Sequence, residues 1–291
     1  MMLVKILVGI CTLIVLACVA LVILQMKNRS EVNRIWHSLE TEPTITKFTQ
    51  DMVVELPPPV QRYFLHAITP GTPLANSVEL KMAGNFKLGD KWLPMKASEI
   101  LSTRGFVWKA AIGQRLSKFF GADYYTNAQG RVQFSLWGIV PVASDRNPDT
   151  VRSSIGRLAG ELIWLPSALL PPQDTQKAVN WKDVSWKAID DNTIQANFQI
   201  DNEPISLTLV IDSNGKPLKI SFPRWGNQTE DGQHTYIPFG GEILAEREFA
   251  GFTIPSQLSL GWWFGSDSPQ ETLCDRYAEF FHGTIEQAEF H

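Results

Sequence analysis

Arg157 and Glu161 are the residues whose type and spacing suggest chemistry most directly, because they lie four positions apart in an otherwise apolar segment. A carboxylate in such a segment can serve as a polar anchor inside an apolar cleft, where it would hold the polar group of a ligand. The alternative is an ion pair on a solvated helix face, which stabilises a helix by about 0.2–0.5 kcal/mol. Helical phase places Glu161 about 60° from the apolar stripe, which favours the solvated ion pair.

Other polar combinations exclude the common kinds of active site. The chain has no Gly-x-Ser-x-Gly elbow, no pair of histidines at helical metal-ligand spacing and no glycine-rich phosphate loop. Asp145, Asn147 and Asp149 resemble part of a calcium loop, but the final carboxylate is missing, so we interpret them as a turn that caps the next helix. We therefore expect no catalytic residue, no metal and no cofactor. For an enzyme, the candidates to inspect would be Glu161, Asp123, Tyr124 and His66.

Aromatic side chains suggest a second kind of chemistry, the burial of an apolar ligand. The chain holds 16 Phe and 10 Trp with only 19% charged residues, which suits a β-rich body with a broad apolar interior. Trp262 and Trp263 are consecutive, so in a strand at least one of them faces a second layer, an interface or a cavity mouth. The residues predicted to line a ligand site are Trp108, Phe134, Leu158, Glu161, Leu162, Trp164, Trp262 and Phe264.

Apolar and polar residues alternate with a period of two along much of the chain, which predicts the strands that position these side chains. The pattern is clearest in residues 194–200, 205–211 and 218–222, where short polar turns require antiparallel neighbours. Together with these, about ten strands are expected. The other predicted strands cover residues 78–88, 92–101, 105–112, 131–137, 243–249, 256–264 and 277–285.

Two helices are predicted to cover this sheet. Apolar residues recur at helical spacing in residues 57–68, which begin with prolines, and in residues 152–165, which Pro166 ends. A helix inserted between two β-meanders must bury its apolar stripe on the sheet. The sequence therefore predicts a mainly β (α+β) fold, a curved antiparallel sheet or half-barrel covered by a few helices, with one N-terminal transmembrane helix.

Residues 6–24 contain no charge and are about as long as a helix that crosses a membrane, which needs about 20 residues. We interpret them as an uncleaved signal anchor. A cleaved signal peptide has a shorter apolar core, and a lipoprotein acylated at Cys18 would turn polar after that residue. The predicted organisation is a transmembrane signal anchor at 1–26, a juxtamembrane helix and connector at 27–56, and a single β-rich domain at 57–291.

Charge and cysteine content limit the location and the partners. Lys27, Arg29 and Arg34 outnumber Lys5, which favours a cytoplasmic body, but a five-residue N-terminal tail usually stays inside. We expect a single-pass protein of the bacterial inner (cytoplasmic) membrane with an extracytoplasmic body. The net charge of −4 without a basic stripe argues against nucleic acid. Cys274 alone lies outside the anchor, so no disulfide is expected there.

Three stretches resemble a known family: Gly105 to Ala110, Arg157 to Pro171, and Gly240-Gly241 with Gly251 to Pro255. Together they are similar to a family of uncharacterised bacterial proteins with an N-terminal membrane segment and no assigned activity, over most of residues 57–285. That family typically has Ala where Gly160 stands. The order of meander, helix and meander also resembles the half-barrel of lipoprotein carriers such as LolA and LolB, which hold acyl chains, although a shared fold does not transfer a function.

Two functions follow as hypotheses. The first is a membrane-tethered binding module for a hydrophobic ligand, a lipid or an acyl chain, in a cleft between sheet and helices. The second is a structural or interaction protein with a dry core that docks on a partner in the membrane. The two differ in whether a cavity exists, and an enzyme is the less favoured third alternative because no catalytic motif is present.

Overall fold

The computed structural model describes residues 1–171, 181–266 and 278–291, so Cys274 and the first residue of the last predicted strand lie outside the described residues. Within these ranges the chain forms three α-helices, α1 (Met2–Leu39), α2 (Pro58–Ala67) and α3 (Pro148–Glu161). The strands are β1 (Ser77–Leu88), β2 (Lys91–Ser102), β3 (Gly105–Gln114), β4 (Ser117–Thr126), β5 (Gln129–Leu136), β6 (Val140–Asp145), β7 (Trp181–Ala188), β8 (Thr193–Ile200), β9 (Glu203–Ile211), β10 (Pro217–Gly226), β11 (Thr235–Phe249), β12 (Phe252–Trp262) and β13 (Ala278–Phe290).

The thirteen strands of the described residues form one antiparallel sheet. β1 to β6 make one meander and β7 to β13 make the other, and β1 pairs with β13 in the middle of the sheet. The sheet curls into a half-barrel, which confirms the predicted mainly β fold. Apolar residues on its concave face and on the covering helices make one continuous core.

Three strands, β4, β6 and β7, are absent from the strands predicted by alternation. β6 lies at the edge of the sheet, is exposed at every position and contains Pro141, which an edge strand tolerates because one side of its backbone has no partner. β4 carries consecutive aromatic residues on both faces, at Phe119-Phe120 and Tyr124-Tyr125. A strand that is exposed or apolar on both faces shows no period of two, so the pattern cannot reveal it.

α3 connects the two edges of the sheet, since it leaves β6 at one edge and leads towards β7 at the other. It begins at Pro148, four residues before the predicted start at Arg152. The predicted cap is present, because the side chain of Asn147 accepts a hydrogen bond of 2.8 Å from the backbone N–H of Thr150. Gly160 lets it lie close to β10. A Cβ at Gly160 would be 2.7 Å from the ring of Phe222, so a larger residue would push the helix off the sheet.

Two short 3-10 turns, Leu162–Trp164 and Pro166–Leu169, continue α3 across the concave face. The indole N–H of Trp164 donates to the carbonyl of Pro255 at 3.0 Å, and that of Trp186 donates to Leu169 at 2.9 Å. α2 packs nearby through Tyr63 and Phe64, whose rings lie 5.8 and 5.5 Å from that of Trp186. These contacts fix the covering layer to the second meander, through β7 and β12.

The C-terminal part of α1 packs on the convex face. Val32, Trp36 and Leu39 contact a small apolar cluster from β2, β3 and β4. The Nζ of Lys109 lies 3.7 Å from the centroid of the Trp36 ring, a cation–π contact. Residues 6–24 extend away from the body and are largely exposed. α1 is the one helix among the described residues that is long and apolar enough to cross a membrane.

Candidate functional site

A cavity of about 810 Å³ lies between the concave face and the C-terminal half of α3. This volume is within the range of about 300–1,000 Å³ that is typical of small-molecule sites. Both halves of the sheet contribute to the wall, which is mainly aromatic and aliphatic. The aromatic residues of the wall are Phe86, Trp108, Phe119, Phe134, Trp164, Phe222, Phe239, Trp262, Phe280 and Phe281.

The cavity is elongated along the strands. At one end it reaches the turn between β1 and β2, where Lys87, Leu88 and Gly89 line it. At the other end Glu99 and Arg157 line it. β2 starts at Lys91, beside that turn, and Glu99 lies eight residues further along it. At a rise of about 3.3 Å per residue, the two ends of the cavity are about 25 Å apart. The space is therefore long enough for an extended chain.

Arg157 at this inner end pairs with three carboxylates. Its Nε lies 2.6 Å from Glu161 Oε1, its Nη1 lies 2.8 Å from Asp123 Oδ2, and its Nη2 lies 3.5 Å from Glu99 Oε1. The guanidinium also lies 4.9 Å from the centroid of the Trp108 ring. The side chain of Glu99 is 0% exposed. We call Glu99, Asp123, Arg157 and Glu161 the buried ion cluster.

The surroundings shift the protonation of the buried ion cluster. Burial, helped by the negative charge of Glu161, raises the pKa of Glu99 well above its ordinary value of 4.5. Burial also lowers the pKa of Arg157, but the charges of Glu161, Asp123 and Glu99 outweigh this effect and raise it overall. Arg157 therefore keeps its charge, and Glu99 binds a proton at pH values where an exposed glutamate has lost it.

A second arginine, Arg224, lies in the cavity wall close to this cluster. Burial, reinforced by the positive charge of Arg157, lowers the pKa of Arg224 to about 10. Its guanidinium lies 4.6 Å from the Phe239 ring centroid and 5.1 Å from that of Trp262. Because its Nε donates to the carbonyl of Ser153 at 3.2 Å, the side chain is held against α3.

Four buried polar atoms around the cluster have no hydrogen-bond partner within the described ranges: Glu99 Oε2, Trp108 Nε1, Asp123 Oδ1 and Glu161 Oε2. A hydrogen bond with Glu161 is one cause of the raised pKa of Glu99, so a proton on Glu99 can supply the partner that the glutamate oxygens need. The N–H donor of Trp108 and the Oδ1 acceptor of Asp123 remain without a hydrogen-bond partner among the described residues. An unsatisfied buried polar group costs about 1–3 kcal/mol, so a ligand with one polar group would be favoured here.

The structure brings five of the eight predicted site residues together. Trp108, Phe134, Glu161, Trp164 and Trp262 line the cavity. The predicted ion pair with Arg157 is present, but the Glu161 side chain is only 11% exposed, so the pair does not lie on a solvated face.

The other three predicted site residues lie outside the lining. Leu158 and Leu162 are fully buried in the core. Phe264 lies beside Gly240, where a Cβ would approach its ring to 2.8 Å. Helical periodicity selects Leu158 and Leu162 because they face the sheet, but it cannot separate residues that fill a core from residues that face a cavity within it.

Glu99 and Arg224 are two charged residues among the cavity residues that the sequence reasoning missed. Glu99 follows Met95 and Ala97 at alternate positions of β2, and Arg224 follows Ile220 and Phe222 at alternate positions of β10. A charged residue in the inward-facing series of a strand is the signal that reveals both.

The four residues named for an enzyme do not converge. Asp123 and Glu161 belong to the buried ion cluster. Tyr124 faces the convex side, where its hydroxyl donates to Glu31 at 2.9 Å. His66 lies on α2, where its side chain is hydrogen-bonded to Glu246 of β11 at 2.8 Å. Burial and the hydrogen bond to Glu31 raise the pKa of Tyr124.

Comparisons with solved structures give distant likenesses. One is a crystal structure described as an outer membrane lipoprotein-sorting protein domain from Vibrio parahaemolyticus, at 9% identity and a TM-score of 0.36, covering 74% of this chain and 86% of that one. Another is a DUF1329 family protein from Desulfovibrio piger, at 8% identity and a TM-score of 0.36, covering 83% and 91%. Likenesses of this size carry no information about a ligand. A search of the curated proteins finds no match.

The comparison with protein families gives a definite assignment. A family profile matches residues 54–290, which is most of the chain and contains every residue of the cavity wall. The profile describes a family of unknown function, as the resemblance of the three sequence stretches predicted. The chain therefore belongs to the family of unknown function DUF6920.

Proposed function

We propose that this protein is a membrane-tethered binding module whose cavity holds a hydrophobic ligand with one polar group, such as a lipid or an acyl chain. The observation that carries the proposal is the elongated cavity of about 810 Å³, apolar along its walls and polar at its inner end. Burial of apolar surface, worth about 25 cal/mol per Å², would drive binding. The cavity favours this function over a structural protein with a dry core.

The polar end of the cavity would set the orientation of the ligand. The free N–H of Trp108 and the free oxygen of Asp123 point to a ligand group that both accepts and donates a hydrogen bond, such as a hydroxyl, an amide or a protonated carboxyl group. The ligand would enter with this group first and leave its chain between the aromatic walls. Trp108, Phe134, Glu161, Trp164 and Trp262 are the proposed contact residues.

Residues 1–26 serve in this proposal as a signal anchor and residues 57–291 as the ligand-binding domain, with residues 27–56 between them. The uncharged run of residues 6–24, in which Thr12 is the one hydroxyl, supports the anchor. We place the protein in the bacterial inner membrane with the body outside the cytoplasm. A tether of this kind keeps the cavity beside a supply of lipid at all times.

Photocrosslinking of the full chain in nanodiscs tests the proposal. The discs contain a phospholipid with a diazirine in its acyl chain, and peptide mass spectrometry maps the adducts. We expect adducts in two regions: on α1, from its contact with the bilayer, and on cavity residues such as Phe86 and Phe134. The α1 adducts are an internal control for insertion.

A pair of matched variants makes the result specific. Leu260→Trp narrows the cavity, whereas Leu218→Trp makes the same change at an exposed position of β10 outside the lining. The first should lose the cavity adducts and keep those on α1, and the second should keep both. Adducts on α1 alone in the unmodified chain would refute ligand binding in the cavity.

A further inference from the structure

Three turns lie together at one end of the first meander. They connect β1 to β2, β3 to β4 and β5 to β6, and consecutive hairpins alternate between the two ends of a sheet. Large apolar side chains at their tips are open to solvent: Leu116 is 81% exposed, Trp137 is 50% exposed and Ile139 is 41% exposed. We call these residues, together with Leu88, Trp92 and Val140, the turn surface.

The turn surface is held in place by its own hydrogen bonds. The indole N–H of Trp137 donates to the carbonyl of Leu116 at 3.0 Å, and the backbone N–H of Trp137 donates to Lys118 at 2.9 Å. The second and third turns are thus joined. Exposed apolar side chains in a fixed arrangement are typical of a surface that contacts another apolar phase.

Basic residues surround the turn surface. Lys87, Lys91, Arg115 and Lys118 lie in or beside the first two turns, and Asp90 is the one acidic residue in segments 87–92, 114–120 and 137–142. Cations around exposed apolar and tryptophan side chains complement the anionic head groups of a bilayer and the apolar layer below them. A protein partner would need to match the same combination of charges and apolar tips.

α1 passes the turn surface at the point where its apolar run ends. The side-chain amide of Gln25 donates to the carbonyl of Ile139 at 3.2 Å, and residues 6–24 continue from there as exposed apolar helix. The C-terminal end of α1 lies at the opposite end of the meander, where Arg104 donates to the carbonyl of Ser38 at 2.6 Å. A bilayer that encloses residues 6–24 therefore has its boundary at the level of Ile139.

We propose that the turn surface contacts the bilayer that α1 enters, so that the body rests on an anionic phospholipid surface instead of standing off it. The cavity shares the turn between β1 and β2, because Leu88 and Gly89 line it. This end of the cavity then lies at the level of the head groups. This inference rests on the proposed tether, but not on the identity or presence of a ligand in the cavity.

Site-specific fluorescence on the full chain tests the contact. Cys11, Cys18 and Cys274 are replaced by alanine, and single cysteines are introduced as Leu116→Cys or Ile45→Cys for labelling with the environment-sensitive dye NBD. Ile45 is a matched control, since it is 98% exposed and lies beside Leu74, at the other end of β1. The labelled chains are reconstituted in vesicles of phosphatidylethanolamine and phosphatidylglycerol that carry a doxyl quencher on the acyl chains.

We expect at least a twofold quenching of NBD at position 116 with a blue-shifted emission, and little change at position 45. Equal, weak quenching at both positions, in chains that resist extraction by alkaline carbonate, would overturn the contact while leaving the tether intact. Release of the chains by carbonate would overturn the tether and this inference with it. The diazirine adducts in the cavity are a separate readout, so loss of those adducts with strong quenching at position 116 would refute only the ligand.

Discussion

Replacement of Arg157 by methionine is the perturbation whose effect the structure defines best. Methionine keeps much of the side-chain volume but leaves Glu99, Asp123 and Glu161 without the cation that lies within 2.6–3.5 Å of each of them. Removing one partner of a buried ion pair costs about 3–5 kcal/mol because the remaining charge stays buried. We expect the free energy of unfolding of Arg157→Met to fall by this amount at pH 7.

The loss should depend on pH in a known direction. Glu99 already has a raised pKa in the unmodified chain. Without the guanidinium, at least one further carboxylate of the buried ion cluster must bind a proton in the folded state that it does not bind in the unfolded chain at neutral pH. The native state then binds the extra proton, so stability falls as pH rises, by about 1.4 kcal/mol per pH unit for each proton. The loss should therefore be about 2.7 kcal/mol smaller at pH 5 than at pH 7.

Urea unfolding of the full chain in detergent micelles, followed by tryptophan fluorescence at both pH values, measures these quantities. Arg146→Met is the control, since Arg146 pairs with Glu31 at 3.2 Å but is 56% exposed, and an exposed pair contributes at most about 1 kcal/mol. A loss for Arg157→Met below 1 kcal/mol at pH 7, or an equal loss at pH 5 and pH 7, would refute this account of the cluster.

Three further substitutions test helix packing, the protonation of Glu99 and helix capping by thermal unfolding. Gly160→Ala should lower stability by about 1–3 kcal/mol despite the better helix propensity of alanine, because its Cβ overlaps the Phe222 ring, and adding Phe222→Leu should restore most of the loss. Glu99→Gln removes a group whose pKa is raised in the folded state. The unmodified chain loses stability as pH rises above about 4.5, because Glu99 must give up its proton, and the variant should not show this loss. The difference in Tm between the variant and the unmodified chain should therefore grow from pH 5 to pH 8. Asn147→Ala removes the cap of α3 and should cost about 1 kcal/mol, and an unchanged Tm would contradict the role of its bond to Thr150.

The sequence predicts the elements of this fold wherever one face of an element is buried and the other is wet. β8 and β9 alternate cleanly, and their predicted bounds differ from the observed ones by at most two residues. β6 has no buried face, so periodicity gives no signal there. The half-barrel itself follows from short turns and a covering helix, but the pairing of β1 with β13 depends on contacts between residues some 200 positions apart, which local patterns do not encode.

The candidate site was predictable only in part: the sequence indicates Trp108, Phe134, Trp164 and Trp262 in its wall and the pair of Arg157 and Glu161 at its polar end. Trp108 and Trp262 are large aromatic residues in strands, so we expect the face of the sheet that carries them to border the core or a cavity. The buried ion cluster takes Glu99 from β2, Asp123 from β4 and Arg157 from α3, and only the curl of the sheet brings these elements together. The choice between a solvated and a buried Glu161 depends on that curl, which helical phase alone does not contain.

The pairing of β1 with β13 has a consequence for biosynthesis. Ser77 and His291 exchange backbone hydrogen bonds of 2.9 and 3.1 Å. The first strand of the sheet along the chain, β1, and the last, β13, therefore pair at the centre of the sheet and not at its edge. During translation the first meander can form its local hairpins while the ribosome is still adding residues, but its open central edge must wait for β13. Loss of β13 would therefore divide the sheet into two halves, and a nascent chain would expose this unpaired edge until β13 has been synthesised.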